Sequence, residues 1–111
     1  MFETNARVRI PTPQRYALRL AKHFEHRVSV HREEALTRIY FPDATCELRP
    51  LEDHLDIQVL SASLPILNRC RDVVTRHLTQ VAHGEEFVID WSGSGEAAVA
   101  RRDSAADGLG Q

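Results

Sequence analysis

The chain's hydrophobic and polar positions follow two periodicities, and these periodicities predict eight elements. Residues 7–10 alternate between polar and apolar, which is typical of a strand with one buried face. After Pro11, Thr12 offers an N-cap hydroxyl and Pro13 suits the first position of a helix, where its missing N–H has no partner to lose. This helix is predicted to reach about His26. Its apolar stripe recurs at spacings of three and four and consists of Tyr16, Ala17, Leu20, Ala21 and Phe24.

Four short alternating segments come next, and each is predicted to be a strand with one wet face. They cover residues 28–31, 38–41, 44–49 and 55–59. Ser63 is the predicted N-cap of a second helix, which continues to about His83, and Gly84 can then supply a left-handed C-terminal cap. A last strand is predicted at residues 87–91, with its inward side chains at Phe87, Ile89 and Trp91.

The predicted order is β-α-β-β-β-β-α-β. Because only one side of each strand is apolar, both helices must cover the same side of the sheet. The fold class is therefore α+β, a two-layer sandwich with two helices on one face of an antiparallel-rich sheet. The apolar pattern stops after Trp91, so we expect a single domain over residues 1–91 and a disordered C-terminal tail over residues 92–111.

Composition narrows the class of protein further. With 111 residues, of which 42% are hydrophobic, the chain can bury one core. Its formal net charge of −2 argues against a nucleic-acid binder, which usually carries a basic excess. The chain has only two cysteines, no apolar signal core and no stretch that could span a bilayer. We therefore expect reduced cysteines, a cytoplasmic location, no membrane contact and a monomer.

The predicted outer face of the sheet carries arginines and acids in mixture. Mixed signs on neighbouring strands favour cross-strand ion pairs on a solvated surface. The alternative, a platform that stacks the bases of single-stranded RNA, has only Tyr40 to stack with. We expect the solvated surface.

His77 is the most informative polar residue. Its spacing from Cys70, Val73, Val74 and Val81 predicts a place on the buried face of the second helix. A buried histidine must find a hydrogen-bond partner or stay neutral. Two interpretations stay open: a core histidine bonded to a nearby carbonyl or hydroxyl, or a ligand-binding residue or general base at the seam between helices and sheet.

Two more residues are predicted to face the same seam. His23 lies at the margin of the first helix's apolar stripe, and Cys46 points inward from a central strand. His23, Cys46 and His77 are therefore the candidate ligand-binding residues, and His26 lies close enough to His23 to share a ligand. These residues lack the local spacing of zinc sites, and the chain has no glycine-rich phosphate loop. No metal site, cofactor or catalytic residue is predicted.

A set of motifs spans nearly the whole predicted domain. Tyr16-x-x-x-Leu20-x-x-His23-Phe24-x-His26-Arg27, then Phe41-Pro42-x-x-x-Cys46, then Val73-Val74-x-x-His77-Leu78, closing on Trp91, resembles the bacterial domain of unknown function 2218. That domain occurs alone and also fused behind siderophore-interacting flavoproteins. The resemblance therefore implies a context in iron acquisition and a siderophore-interacting flavoprotein as a partner. It supplies no catalytic residue. Ala44 stands where the family's Phe-Pro-x-Gly-Thr-Cys pattern has glycine.

These observations leave three hypotheses. The first is a non-enzymatic accessory or binding module linked to bacterial iron-siderophore utilisation. The second is a protein that binds a small ligand, a metal or haem at the seam of His23, Cys46 and His77. The third is a small enzyme that uses His77 or His23 as general base.

Overall fold

The computed structural model describes residues 1–82 and 84–92, and its elements follow the predicted order. Strands β1 to β6 are Phe2–Arg9, Ser29–Arg32, Thr37–Phe41, Ala44–Pro50, His54–Ser61 and Trp91–Ser92. Helix α1 is Pro13–Phe24 and helix α2 is Leu64–Val81. The strands form one sheet in the order β2-β3-β4-β5-β1-β6, and every neighbouring pair is antiparallel. The predicted α+β class is confirmed.

The register of the central strands sends alternate side chains to the helix-covered face. β1 pairs with β5 along its whole length, from Phe2 opposite Ser61 to Arg9 opposite His54. The inward side chains of β1 and β5 are buried: Thr4, Ala6, Val8, Leu55, Ile57, Val59 and Ser61. Both helices contact this face, where each fully buried aliphatic side chain contributes about 1.5–3 kcal/mol.

The two helices begin differently. The Oγ of Ser63 accepts a hydrogen bond from the backbone N–H of Ile66 at 3.4 Å, so the predicted cap of α2 is confirmed. The predicted cap of α1 is wrong. Thr12 has φ 51°, and its hydroxyl donates to the Pro11 carbonyl at 2.7 Å. A side-chain cap requires extended backbone at the N-cap residue, and the left-handed conformation of Thr12 does not provide it.

Most predicted boundaries are right to within one residue, and a few move by two to five. α1 ends at Phe24 instead of His26, and α2 ends at Val81, short of the predicted end at about residue 83. Gly84 has the left-handed backbone expected of it, with φ 86°. β1 begins at Phe2, earlier than the alternation indicates. Its inward position here is Thr4, a polar residue that is fully buried because its hydroxyl donates to the Ser92 carbonyl at 2.8 Å.

The last predicted strand is mostly irregular. Only Trp91–Ser92 pairs with β1, while residues 85–90 form no strand. The predicted inward side chains Phe87, Ile89 and Trp91 do pack against the core. Ser92, the first residue of the expected tail, pairs with Asn5, and residues 93–111 lie outside the described residues.

Both cysteines are free and buried, as predicted. Of the helices in the described ranges, none has the length and apolar character needed to cross a membrane.

Candidate functional site

A groove opens where the C-terminal halves of α1 and α2 meet the end of β3. Its volume is about 820 Å³, within the range of about 300–1,000 Å³ that small-molecule sites occupy. α1 and the turn after it supply most of the lining, α2 supplies one side, and Phe41 of β3 supplies part of the floor. The lining residues are Arg19, Lys22, His23, Phe24, His26, Arg27, Val28, Phe41, Val73, His77 and Val81.

Four rings form the centre of this groove. The His23 and His77 ring centroids are 4.6 Å apart, which brings together two of the three predicted site residues. The Phe24 ring lies 4.8 Å from His77 and 5.5 Å from His23. Phe41 meets Phe24 edge to face at 5.0 Å. Such tilted and edge-to-face pairs are favourable arrangements of aromatic rings, so the helices are held together here by the same residues that line the groove.

His77 has features of both interpretations that its spacing allows, since it makes a hydrogen bond typical of the core and also lines the groove. It is half-buried, not fully buried, and its Nδ1 lies 2.7 Å from the backbone carbonyl of Val73. A carbonyl oxygen only accepts, so Nδ1 carries the proton and donates it. The hydrogen bond expected of a core histidine is therefore present, although the same ring lines the groove.

His23 lies among positive groups. Desolvation lowers the pKa of its imidazole, and the positive charges of His77, Arg27 and His26 lower that pKa further. A negative charge placed among these groups would act in the opposite direction and raise the pKa of His23. The local field therefore favours an anion.

All the titratable side chains that line the groove are basic. There are six of them, and they are Arg19, Lys22, His23, His26, Arg27 and His77. No acidic side chain occurs among the described lining residues.

Arg19 and Glu25, at the margin of the groove, each have a partner elsewhere. Arg19 donates to the Val81 carbonyl at 3.2 Å, which ties α1 to the end of α2. Glu25 lies beside the groove, but its carboxylate faces Arg32, with 3.7 Å between Oε1 and the Arg32 Nη2.

Cys46, the third predicted site residue, does not lie in the groove with the two histidines. It is fully buried in β4, away from the residues that line the groove. Burial raises the pKa of its thiol well above the ordinary value, and the nearby Cys70 adds to this effect. Cys46 is thus a neutral core side chain, whereas His23 and His77 share the groove.

Sequence reasoning missed Lys22, Arg27 and Phe41 as site residues. The chain does carry a signal for part of this lining, since Arg19 and His23 lie four residues apart on one side of α1, and Arg27 follows in the turn after the helix. Phe41 carries no such signal, because only the packing of β3 beneath α1 brings it to the groove.

The outer face of the sheet has the predicted ion pairs. Arg38 contacts Glu47 at 2.9 Å and Arg7 contacts Asp56 at 3.1 Å, and in each pair the two residues lie directly opposite on neighbouring strands. This face also has an open concavity of about 720 Å³, but acids and arginines line it together. Within the described ranges, no group of three or more histidines, cysteines or acids is placed to hold a metal ion.

The fold and the groove define a class of protein: a small α+β sandwich with an open sheet face and a basic groove at one end of its helices. Residues 5–92 match the family profile of DUF2218, described as an uncharacterized protein conserved in bacteria, and the chain belongs to this family. Its structure is similar to the NMR structure of PA4090 from Pseudomonas aeruginosa, with 33% sequence identity and a TM-score of 0.70. The match covers 82% of this chain and 95% of that chain. No curated protein matches.

Proposed function

We propose that this domain is a non-enzymatic binding module whose groove between α1 and α2 takes a small organic anion with an apolar body. The observation that carries the proposal is the lining: six basic side chains and, among the described lining residues, no acid, above a floor of Phe24 and Phe41. Sites for small molecules commonly combine an apolar surface with a few polar groups that fix orientation.

Charge favours an anion at the α1 side of the groove. Lys22 and Arg27 are cationic side chains, and both line the groove beside the imidazoles of His23 and His77. One anion facing one such cation at 4 Å gains about 4 kcal/mol of Coulomb energy near a protein surface, before the cost of desolvation. Arginine also binds a carboxylate through two parallel hydrogen bonds, which fixes the orientation of the anion.

The floor favours an apolar body attached to that anion. Phe24 is 6% exposed and Phe41 is partly buried. The parts of the two rings that reach the groove are apolar, and water solvates them poorly. Covering such surface contributes roughly 25 cal/mol per Å². A purely inorganic anion would leave this contribution unused.

The lining argues for binding instead of catalysis. A histidine base in a hydrolase is usually oriented by a carboxylate and activates a neighbouring hydroxyl or thiol. Here the backbone carbonyl of Val73 orients His77. Among the described lining residues there is no serine, threonine or cysteine to act as nucleophile.

Benzoate, benzyl alcohol and benzylamine test the proposal, because they share a ring and differ in charge. Each is titrated into labelled protein while the amide and imidazole NMR signals are followed. Benzoate is expected to shift His23, His77 and Phe41 and to raise the pKa of His23, whereas benzylamine shifts none of them. Equal effects of all three compounds, or shifts confined to the outer sheet face, would contradict the proposal.

An accessory role beside a siderophore-interacting flavoprotein rests on the family resemblance alone and stays a prediction. Its test is reconstitution of the purified protein with such a flavoprotein and a ferric siderophore. We expect a complex and a changed rate of ferric reduction, and a Lys22→Glu/Arg27→Glu variant shows whether the groove is involved. No complex and an unchanged rate would remove this role without touching the groove itself.

A further inference from the structure

A second, smaller recess continues the groove toward the N-terminal half of α2. Its volume is about 290 Å³. Pro42 in the turn after β3 and Ala44 at the start of β4 form one wall, and α2 forms the other, with Ile66 and Cys70. Phe41 and Val73 line both the groove and the recess, so the two spaces adjoin.

One stripe of α2 runs along both spaces. Ile66, Cys70, Val73 and His77 are separated by four, three and four residues, which places them on one side of the helix. The helix rises by roughly 10 Å between Cys70 and His77. A ligand that lies along this stripe is therefore elongated.

The inner part of the recess is apolar. Cys70 is 6% exposed, and burial raises the pKa of its thiol to about 12, so the sulfur is neutral and behaves as a small apolar surface. The charged residues of the recess are Asp43 and Arg69, which have opposite signs and are both exposed. No basic surplus like that of the groove occurs here, so this end suits hydrocarbon.

We infer that the ligand is an elongated amphipathic carboxylate, of the class of short- to medium-chain fatty acids. Its carboxylate lies by His23 and His77, and its alkyl chain passes Phe41 and Val73 into the recess beside Cys70. This inference rests on the proposed function and specifies the ligand of the same site. Ala44, which is 6% exposed, closes the recess from the side of the sheet and limits the length of the chain.

Butanoate and octanoate test the inference, because they share a carboxylate and differ in chain length. A buried methylene contributes roughly fourfold in affinity, so partial burial of the longer chain is expected to strengthen binding about tenfold. Octanoate, unlike butanoate, is expected to shift the NMR signals of Cys70 and the Ala44 methyl group. Both compounds are expected to shift His23 and His77.

Two variants fill the recess without touching the basic residues. Cys70→Leu adds volume at the buried position, and Ile66→Phe adds volume at a partly buried one, which keeps the test available if Cys70→Leu does not fold. Either variant is expected to bring the affinity for octanoate down to that for butanoate. Binding of benzoate, followed in the same variants, shows that the groove is intact.

The outcomes separate the two proposals. If benzoate binds but butanoate and octanoate bind equally, the recess is not used and the inference is overturned, while the proposed function stands. The same conclusion follows if octanoate binds more tightly and the filled variants retain that preference. If none of the anions binds at the groove, the proposed function fails and the inference fails with it.

Discussion

The outer sheet face and the groove both carry basic side chains. Among the described residues, acidic side chains accompany them on the outer face but not in the lining of the groove. On the outer face, Arg7 and Arg38 lie directly opposite Asp56 and Glu47 on neighbouring strands. In the groove, Lys22 and Arg27 share the surface with histidines, and the described lining includes no acid. Paired charges satisfy each other and leave little for a ligand. A group of like charges is locally unfavourable, and an anion relieves the repulsion. Such inconsistencies between charge and fold are expected at functional sites.

The largest expected effect is on stability, and it distinguishes a residue in the floor of the groove from a residue on the outer face. Phe24→Ala is expected to lower the free energy of unfolding by about 3–5 kcal/mol, because the 6% exposed ring packs against His23, His77 and Phe41. Tyr40→Ala, on the outer face at 43% exposure, is the matched control and is expected to cost about 1 kcal/mol or less. Urea denaturation measures both. Similar costs for the two variants would mean that the four-ring cluster does not hold the helices.

The second effect concerns binding. Lys22→Glu/Arg27→Glu is expected to weaken benzoate binding by at least about tenfold, which corresponds to roughly 1.4 kcal/mol. Arg9→Glu/Arg49→Glu on the outer face changes the net charge of the protein equally and is expected to leave benzoate binding nearly unchanged. Calorimetric titration of both variants makes the comparison. If the outer-face variant weakens binding as much, then overall charge, and not the groove, attracts the anion.

The sequence predicted the order of elements and the side of each strand because these follow from local periodicity. It predicted the groove only in part. His23 and His77 stand out as polar residues on apolar stripes, but Cys46 shows the same pattern and turns out to be core. Which inward polar residue reaches a groove depends on how far the helices extend over the sheet, and no local pattern encodes this. The irregular segment before Trp91 was missed for a similar reason, since alternation predicts inward side chains but not the backbone pairing of a strand.

A third and smaller effect tests the ion pairs of the outer face. A double-mutant cycle between Arg38→Ala and Glu47→Ala is expected to give a coupling of about 0.2–1 kcal/mol, since both side chains remain partly in contact with water. The coupling is expected to shrink at high salt, because a mobile ion atmosphere screens exposed charges. A coupling that stays the same in molar salt would contradict the description of this face as solvated.

The smallest effect is the pH dependence that the groove confers on stability. The pKa of His23 lies below its ordinary value of 6.5, first through desolvation and then through the positive charges of His77, Arg27 and His26. Between the lowered pKa and 6.5, the unfolded chain therefore binds more protons at this residue than the folded chain. Stability is then lost as the pH falls through this window and is fully present above it. His23→Gln is expected to flatten this part of the stability profile.

Two further variants decide whether the charge of the groove contributes to that slope. Arg27→Gln removes one positive neighbour, so it is expected to raise the pKa of His23 toward 6.5 and to reduce the slope without abolishing it. Arg49→Gln, on the outer face, is expected to leave the slope as it is. Imidazole NMR titration reads the pKa directly, and urea denaturation across the same pH range reads the slope. An unchanged slope in His23→Gln would show that His23 does not cause the pH dependence of stability. An unchanged pKa in Arg27→Gln would show that the charge of Arg27 does not contribute to the lowered pKa. In that last case desolvation and the two neighbouring histidines would account for the lowered pKa, and Arg27 would not distinguish the groove from the outer face.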